Sequence, residues 1–249
     1  MADGEIGGSP ASTDAELGVG LVGRRAGEPP ARVLVVDDHR ALAESLGFAI
    51  DSQADLHCVG TAPTVAQARL LAADEEPDIV LLDVQLPDGD GIDLAAQLRA
   101  ARPELRIVVL TGHTDVAVLA RAAGAGVCGF LPKESGVAEV LWALRTARDG
   151  GMVVDGATLA AVLDRVARLR RPQAPAPPGA SDLTDREMEV LRAMGTGMDP
   201  QTIASRLGVS VHTSRGHVKS ILSKLDCHSQ LEAVVTALRR GLLPELFAV

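Results

Sequence analysis

VLVVDDHR, residues 33–40, reads as a buried strand that runs directly into two carboxylates, and the first half of the chain repeats that grammar. Four consecutive apolar residues, three of them valine, suit a strand covered on both faces. Similar apolar runs occupy 56–59, 79–82, 107–110 and 127–131. Between them apolar residues recur at three- and four-residue spacing, as at Leu42, Leu46, Ala49 and Ile50, which is helical periodicity. Five alternating strand and helix units predict an α/β doubly wound five-stranded parallel sheet with helices on both faces. The last helix of the unit is expected over about 137–148, ended by Gly150 and Gly151.

Open parallel sheets bind ligands beyond the carboxyl ends of their strands, where the strand order reverses. Here those ends carry Asp37 and Asp38 after the first strand, Asp83 after the third, Thr111 after the fourth and Lys133 after the fifth. Three carboxylates gathered at one edge repel each other unless a cation joins them. An oxygen-only donor set without cysteine or histidine points to Mg²⁺, which keeps part of its water shell and bridges to phosphate oxygens. A carboxylate beside such an ion is a nucleophile for a phosphoryl group. A lysine and a hydroxyl at neighbouring strand ends then neutralise and hydrogen-bond the transferred group.

The segments VLVVDDHR, LLDVQLPDGDG (81–91), VVLTGH (108–113) and GFLPK (129–133) resemble the strand-end motifs of response-regulator receivers, a flavodoxin-like fold, over about residues 31–150. The resemblance implies that Asp83 is the phosphoacceptor, that Asp38 ligates Mg²⁺ directly and that Asp37 acts through metal-bound water. It assigns the backbone carbonyl of Gln85 to the metal site, Lys133 to the phosphoryl group, Thr111 as the switch hydroxyl and Phe130 as the switch aromatic. A plain core role for Phe130 is the alternative. His113, two residues past Thr111, is expected as a loop histidine. The partner that the family implies is a sensor histidine kinase.

Residues 157–171 continue as an amphipathic helix, with Leu159, Val162, Leu163, Val166 and Leu169 on one side. RPQAPAPPGA (171–180) then places four prolines in ten residues, which forbids a helix and favours an extended spacer. The expected organisation is a disordered tail over 1–30, a receiver over 31–151, a linker helix and proline-rich spacer over 152–180, and a small all-α four-helix domain over 181–249.

That last domain opens with a capping box, Thr184 and Glu187 in LTDREMEVL (183–191). Asp199 followed by Pro200 starts a second helix, Gly208 ends it, and Val209 and Ser210 turn into a third. Helix, short glycine-containing turn, helix is the helix-turn-helix signature. On the third helix Ser214, Val218, Ile221, Leu222 and Leu225 point inward, leaving Arg215 and Lys219 outward with Gly216 and Ser220 beside them. Long cations with small neighbours suit the major groove of double-stranded DNA. Lys224, Ser210 and Thr213 suit phosphate contacts instead.

LTDREMEVL, IASRLGVS (203–210), residues 213–217 and ILSKL (221–225) together resemble the LuxR-type DNA-binding domain over about 182–243. The whole chain is similar to the NarL/FixJ class of response regulators, regulators of transcription rather than enzymes. Three positions depart from that pattern. Ser214 stands where valine is usual, Gly216 weakens the middle of the recognition helix, and Asp226 stands where glycine is common. The last helix, around 230–240 with Ala233, Val234, Ala237 and Leu238, is expected to supply a homodimer contact on phosphorylation, or else a packing face for its own domain.

Charge and composition fit this division. The net charge is −9, but residues 31–150 alone carry −8, and residues 200–225 hold four bases and no acid. The acidity lies in one domain and a basic stripe in the other. An acidic receiver tethered beside that stripe is expected to occlude the recognition helix or its dimer face until phosphorylated. No apolar run is long enough to span a membrane and no secretory signal opens the chain, so a cytoplasmic place without membrane contact is expected. The three cysteines are far apart, without metal-ligand spacing. Two rival readings are an aspartyl-phosphate hydrolase and a phosphotransfer relay without DNA binding. Gln85, where such hydrolases carry a second aspartate, opposes the first; the C-terminal helices oppose the second.

Overall fold

The structure, a computed structural model, describes residues 29–112, 115–169 and 182–243. The expected disordered tail up to residue 28, His113, the spacer 171–180 and the final six residues lie outside them.

All the strands of the main sheet run parallel. β1 (Ala31–Val36), β3 (Ile79–Asp83) and β6 (Arg106–Thr111) form the centre, with β2 (Leu56–Ala62) and β7 (Gly129–Pro132) at the edges, in the order β2-β1-β3-β6-β7. The order reverses between β1 and β3, so the carboxyl ends of those strands frame a crevice. Alternation along β3 divides the core. Ile79 and Leu81 face α1 (Arg40–Asp51) and α5 (Val137–Arg148), whereas Val80 and Leu82 face α2 (Val65–Glu75), α3 (Gly91–Ala101) and α4 (Val116–Gly124). Both sets are buried, which is why the strand is apolar throughout.

A two-residue antiparallel pair, β4 (Gln85–Leu86) with β5 (Gly89–Asp90), turns the chain from β3 into α3. The sequence reading did not contain this pair. It brings Gly91 so close to the end of β3 that a β-carbon there would sit 2.0 Å from the Asp83 carbonyl oxygen. The glycine therefore permits α3 to begin directly behind Asp83.

Four helices form the C-terminal unit: α7 (Asp185–Gly195), α8 (Pro200–Leu207), α9 (Val211–Leu225) and α10 (Gln230–Arg240). Thr184 and Glu187 make the expected capping box, and Asp199 caps α8 ahead of Pro200. Gly208 and Asp226 both adopt left-handed backbone at helix ends, which explains why glycine suits position 226.

α6 (Gly156–Leu169) is not a free-standing tether. Leu159, Val162, Leu163 and Val166 are buried, and the helix packs on both α4 and α10. One continuous apolar core thus runs from β6 and Phe130 through Leu119 and Ala123 of α4 and through α6 to Val190, Leu231 and Val235 of the C-terminal unit. The periodicity identified α6 as a helix, but not which two partners share its apolar side.

On the opposite face of the sheet, Asp55 locks the β2 entrance to α5. Its carboxylate accepts from Arg145 at 2.8 and 2.9 Å and from Arg148 at 2.9 Å. The Arg145 bonds, helped by Arg148, hold its pKa down from 3.8 to about 2. A carboxyl that binds its proton less tightly when folded stabilises the fold above its unfolded pKa, and the gain disappears as pH falls through the folded value. Asp55→Asn should therefore lower stability by about 2 kcal/mol at neutral pH. In urea unfolding series the gap to wild type should close as pH drops from about 4 towards 2, and a gap independent of pH would refute the ionic explanation.

Candidate functional site

The crevice between β1 and β3 gathers the strand-end residues. Asp37 and Asp83 are buried, at 1% and 3% exposure, while Asp38 and His39 stand at the rim. Lys133, just past β7, puts its Nζ 2.6 Å from Asp83 Oδ2 and 3.0 Å from Asp37 Oδ2. Burial works against the ammonium charge, but the bonds to the two carboxylates outweigh it and raise the Lys133 pKa above the ordinary lysine value. Thr111 is buried at the end of β6, and its carbonyl accepts from the Lys133 amide at 3.0 Å, fixing the two strand ends together.

A cavity of about 250 Å³ opens over this cluster, lined by Asp38, His39, Asp83, Gln85, Thr111 and Lys133. One donor atom from each of Asp37, Asp38, His39 and Asp83 lies within 4.8 Å of the others, a cluster of the right size for one cation. Hard carboxylate oxygens dominate that set, which fits a divalent ion such as Mg²⁺. His39 was not anticipated. Its Nδ1 lies 3.0 Å from Asp37 and 2.9 Å from Asp38, and its position directly after the acid pair was the available signal. The Gln85 amide donates to Asp83 Oδ1 at 3.2 Å, which steadies that carboxylate. Phe130 lies away from the cavity lining, 6% exposed within the core under α4.

The expected DNA-reading residues gather on α9. Ser214, Val218, Ile221 and Leu225 are buried, and Arg215, Gly216 and Lys219 face outward as the periodicity requires. Nothing lies near Gly216, so no packing contact accounts for that glycine. Ser210 and Thr213 are exposed at the amino end of α9, but they are also the cap: Ser210 accepts from the Thr213 amide at 3.0 Å. Lys224 is already paired. Its Nζ bonds Glu187 at 2.7 Å, and Ser220 bonds the same carboxylate at 2.5 Å. Burial alone would raise the Glu187 pKa; Lys224, Ser220 and Thr184 together bring it from 4.5 to about 2. The charge of Lys224 thus ties α9 to α7.

The C-terminal unit rests on the receiver-like unit chiefly through α10 and the turn before it. Ser229 Oγ donates to the Val127 carbonyl at 2.9 Å, Gln230 Nε2 to the Gly150 carbonyl at 2.7 Å and Arg106 Nη1 to the His228 carbonyl at 2.7 Å. Arg99, buried at 7%, faces Glu232 at 3.7 Å. On the recognition helix, Arg215 approaches Asp149 at 4.0 Å while remaining half exposed. Among the described residues no helix is long and apolar enough to cross a membrane.

Comparison with known proteins agrees with this arrangement. Residues 33–145 match the family model described as response regulator receiver domain, and 181–237 that of bacterial regulatory proteins of the luxR family. The regulatory protein YxjL of Bacillus subtilis is 32% identical over 85% of this chain and 97% of its own length. DNA-binding transcriptional activator DevR/DosR of Mycobacterium tuberculosis is 31% identical over 86% of this chain and 97% of its own. Among solved structures, a LuxR-family two-component response regulator from Aurantimonas sp. SI85-9A1 aligns with 57% of this chain and 99% of its own, at 27% identity and a TM-score of 0.51. The RcsB response regulator of Salmonella typhimurium, at 21% identity and a TM-score of 0.51, shares the fold over 83% of this chain and 97% of its own.

The Glu187 cluster yields a direct test. Lys224→Ala leaves a buried carboxylate without its cation, whereas Lys224→Ala with Glu187→Gln removes both charges. In thermal and urea unfolding the double variant should be less destabilised than the two single effects added together, with a coupling of about 1–3 kcal/mol. Additive effects would mean that the pair is not energetically linked.

Proposed function

This chain belongs to the response regulators that join a receiver domain to a LuxR-type DNA-binding domain, and from that premise we propose that Asp83 is its phosphoacceptor and that phosphorylation there frees the DNA-binding domain to act. The observation that carries the reading is the Asp83 carboxylate, buried at the switch in strand order, with Lys133 at 2.6 Å and a cavity above it. The phosphodonor is a histidine of a sensor kinase. An Asp83 oxygen attacks the phosphorus, the P–N bond breaks, the departing imidazole takes up a proton, and an acyl phosphate remains. Asp38 and Asp83 would hold Mg²⁺ directly, with Asp37 through water and Gln85 through its backbone carbonyl, and the ion would neutralise the phosphoryl oxygens. Lys133 turns from the carboxylate to the new phosphoryl group, Thr111 hydrogen-bonds it, and Phe130 follows as the switch aromatic.

Residues 31–151 act as the receiver and 181–249 as the DNA-binding part, with α6 between them. Arg215 and Lys219 read base edges of double-stranded DNA with Gly216 permitting close approach, while Ser210 and Thr213 contact phosphates. Lys224, held by Glu187, serves first to brace α9. The docked arrangement is the resting one. α10, the expected homodimer helix, is buried on α4 and α6, so two copies pair on a repeated cytoplasmic DNA site only after undocking. The attraction differs from that expected from net charge: α10 and the turn before it carry the hydrogen bonds across the boundary, while the recognition helix brings Arg215 towards Asp149.

With Mg²⁺ and an acyl phosphate donor the wild-type protein should gain one base-labile phosphoryl group, and Asp83→Asn none; equal labelling of that variant would remove Asp83 from its role. Arg215→Ala or Lys219→Ala should each cost about 1–3 kcal/mol at the specific site and relax base preference there. Unchanged preference in both would place another face in the groove.

The docking reading is tested separately by Arg106→Ala combined with Gln230→Ala, which removes two bonds across the boundary. Unphosphorylated protein carrying both changes should bind DNA about tenfold more tightly than unphosphorylated wild type. Equal or weaker binding would mean that docking does not restrain the DNA-binding domain.

A further inference from the structure

Between α5 and α6 the chain passes directly beneath the edge of the sheet and pairs with it at one residue. Val153 donates its amide to the Cys128 carbonyl at 3.0 Å, and its own carbonyl accepts from the Phe130 amide at 2.7 Å. The crossing is tight: a β-carbon at Gly129 would sit 1.8 Å from the Val153 carbonyl oxygen. Val153 is 1% exposed, so the pairing is buried and its loss would leave polar groups unsatisfied.

This contact joins two parts of the molecule that otherwise have separate tasks. On one side is β7, whose carboxyl end leads into Lys133 and which is paired with β6 up to Thr111 and Pro132. On the other is α6, starting at Gly156. Only Val154 and Asp155 intervene, and Asp155 accepts from the Thr158 amide at 2.9 Å, which caps the helix and stiffens the connection. α6 in turn packs on α4 and α10.

We propose that the one-residue pairing of Val153 with β7 is the mechanical link through which the state of Asp83 sets the position of α6, and through α6 the hold on α10. The inference rests on the docked reading given above. Asp83 Oδ2 and Lys133 Nζ are in hydrogen-bond contact, so no atom fits between them as they stand. Adding a phosphoryl group there displaces Lys133 and the strand end that carries it. The displacement passes along β7 to the Phe130 amide, which is bonded to the linker rather than to another strand of the sheet. A backbone pair is either in register or not, which makes it a discrete element for both ends to bias.

The test uses the full chain with Gly129→Ala, whose β-carbon would meet the Val153 carbonyl oxygen at 1.8 Å and so forces the linker off β7. Labelling of Asp83 by an acyl phosphate donor should match wild type, showing an intact receiver. Wild-type DNA affinity should change by at least about fivefold on phosphorylation, and that ratio should fall to within about twofold in the variant. A variant that keeps the wild-type ratio overturns the link. In wild-type protein, hydrogen exchange at the Phe130 amide should be slow before phosphorylation and change after it; identical exchange in both states also overturns the link. If wild-type DNA binding ignores phosphorylation, the functional reading fails instead, and the Phe130 exchange measurement still decides whether Asp83 and Val153 are connected.

Discussion

Lys133 holds together two carboxylates that the fold has withdrawn from water. Side-chain exposure is nil for Asp37 and 4% for Asp83, and buried charges of like sign this close are strongly unfavourable unless countered. The counter-charge arrives from the far edge strand, across β3 and β6, so the strand order itself is what closes the site. An acyl phosphate of about −2 charge on Asp83 replaces a carboxylate of −1, so the site would gain about one negative charge, which a divalent cation would more than offset. Under the proposed phosphorylation the geometry would change as well: which oxygen Lys133 contacts and where its strand end lies.

The two halves of the chain are not merely tethered: one apolar core runs through α4, α6 and α10. The receiver is acidic as a whole, yet at the domain boundary it presents Arg99, Arg106 and the backbone carbonyls of Val127 and Gly150. Net charge therefore describes the surface and not the interface. The turn between α9 and α10 and the first turn of α10 supply the complementary groups, a backbone carbonyl at His228 and the side chains of Ser229, Gln230 and Glu232. Bonds to backbone carbonyls depend on main-chain position more than on side-chain choice, which suits an interface that must register small shifts of its elements.

The periodic features were legible from sequence because each obeys a local rule. The five strands of the sheet, the caps at Thr184 and Asp199, and the inward stripe Ser214, Val218, Ile221 and Leu225 follow from spacing and composition alone. What escaped depends on contacts distant in the chain. The β4–β5 pair is only two residues on each side and carries no apolar alternation. Lys224 looked like a free cation because its partner, Glu187, lies 37 residues away and was already accounted for as a capping residue. Val153 is one valine between helices, and nothing in its neighbourhood announces that it pairs with β7. Gly129 was the available clue, a glycine inside the apolar run 127–131, where close approach of another backbone is the usual reason.

The strength of the docked state is set by the same local composition. α4, VAVLARAAG, is rich in alanine and ends in Gly124, and both α6 and α10 pack on it. A β-carbon at Gly124 would already lie 3.0 Å from the Arg239 guanidinium. The polar part includes single hydrogen bonds, each contributing about 1 kcal/mol, and two charge pairs, Arg99 with Glu232 at 3.7 Å and Arg215 with Asp149 at 4.0 Å, both too long for hydrogen bonds. Larger side chains on α4 would bury more apolar area at the boundary and strengthen it. Coupling between distant sites typically amounts to about 1–3 kcal/mol. Alongside the apolar core that α6 and α10 share with α4, these single polar contacts are the part of the boundary that a change of that size can shift.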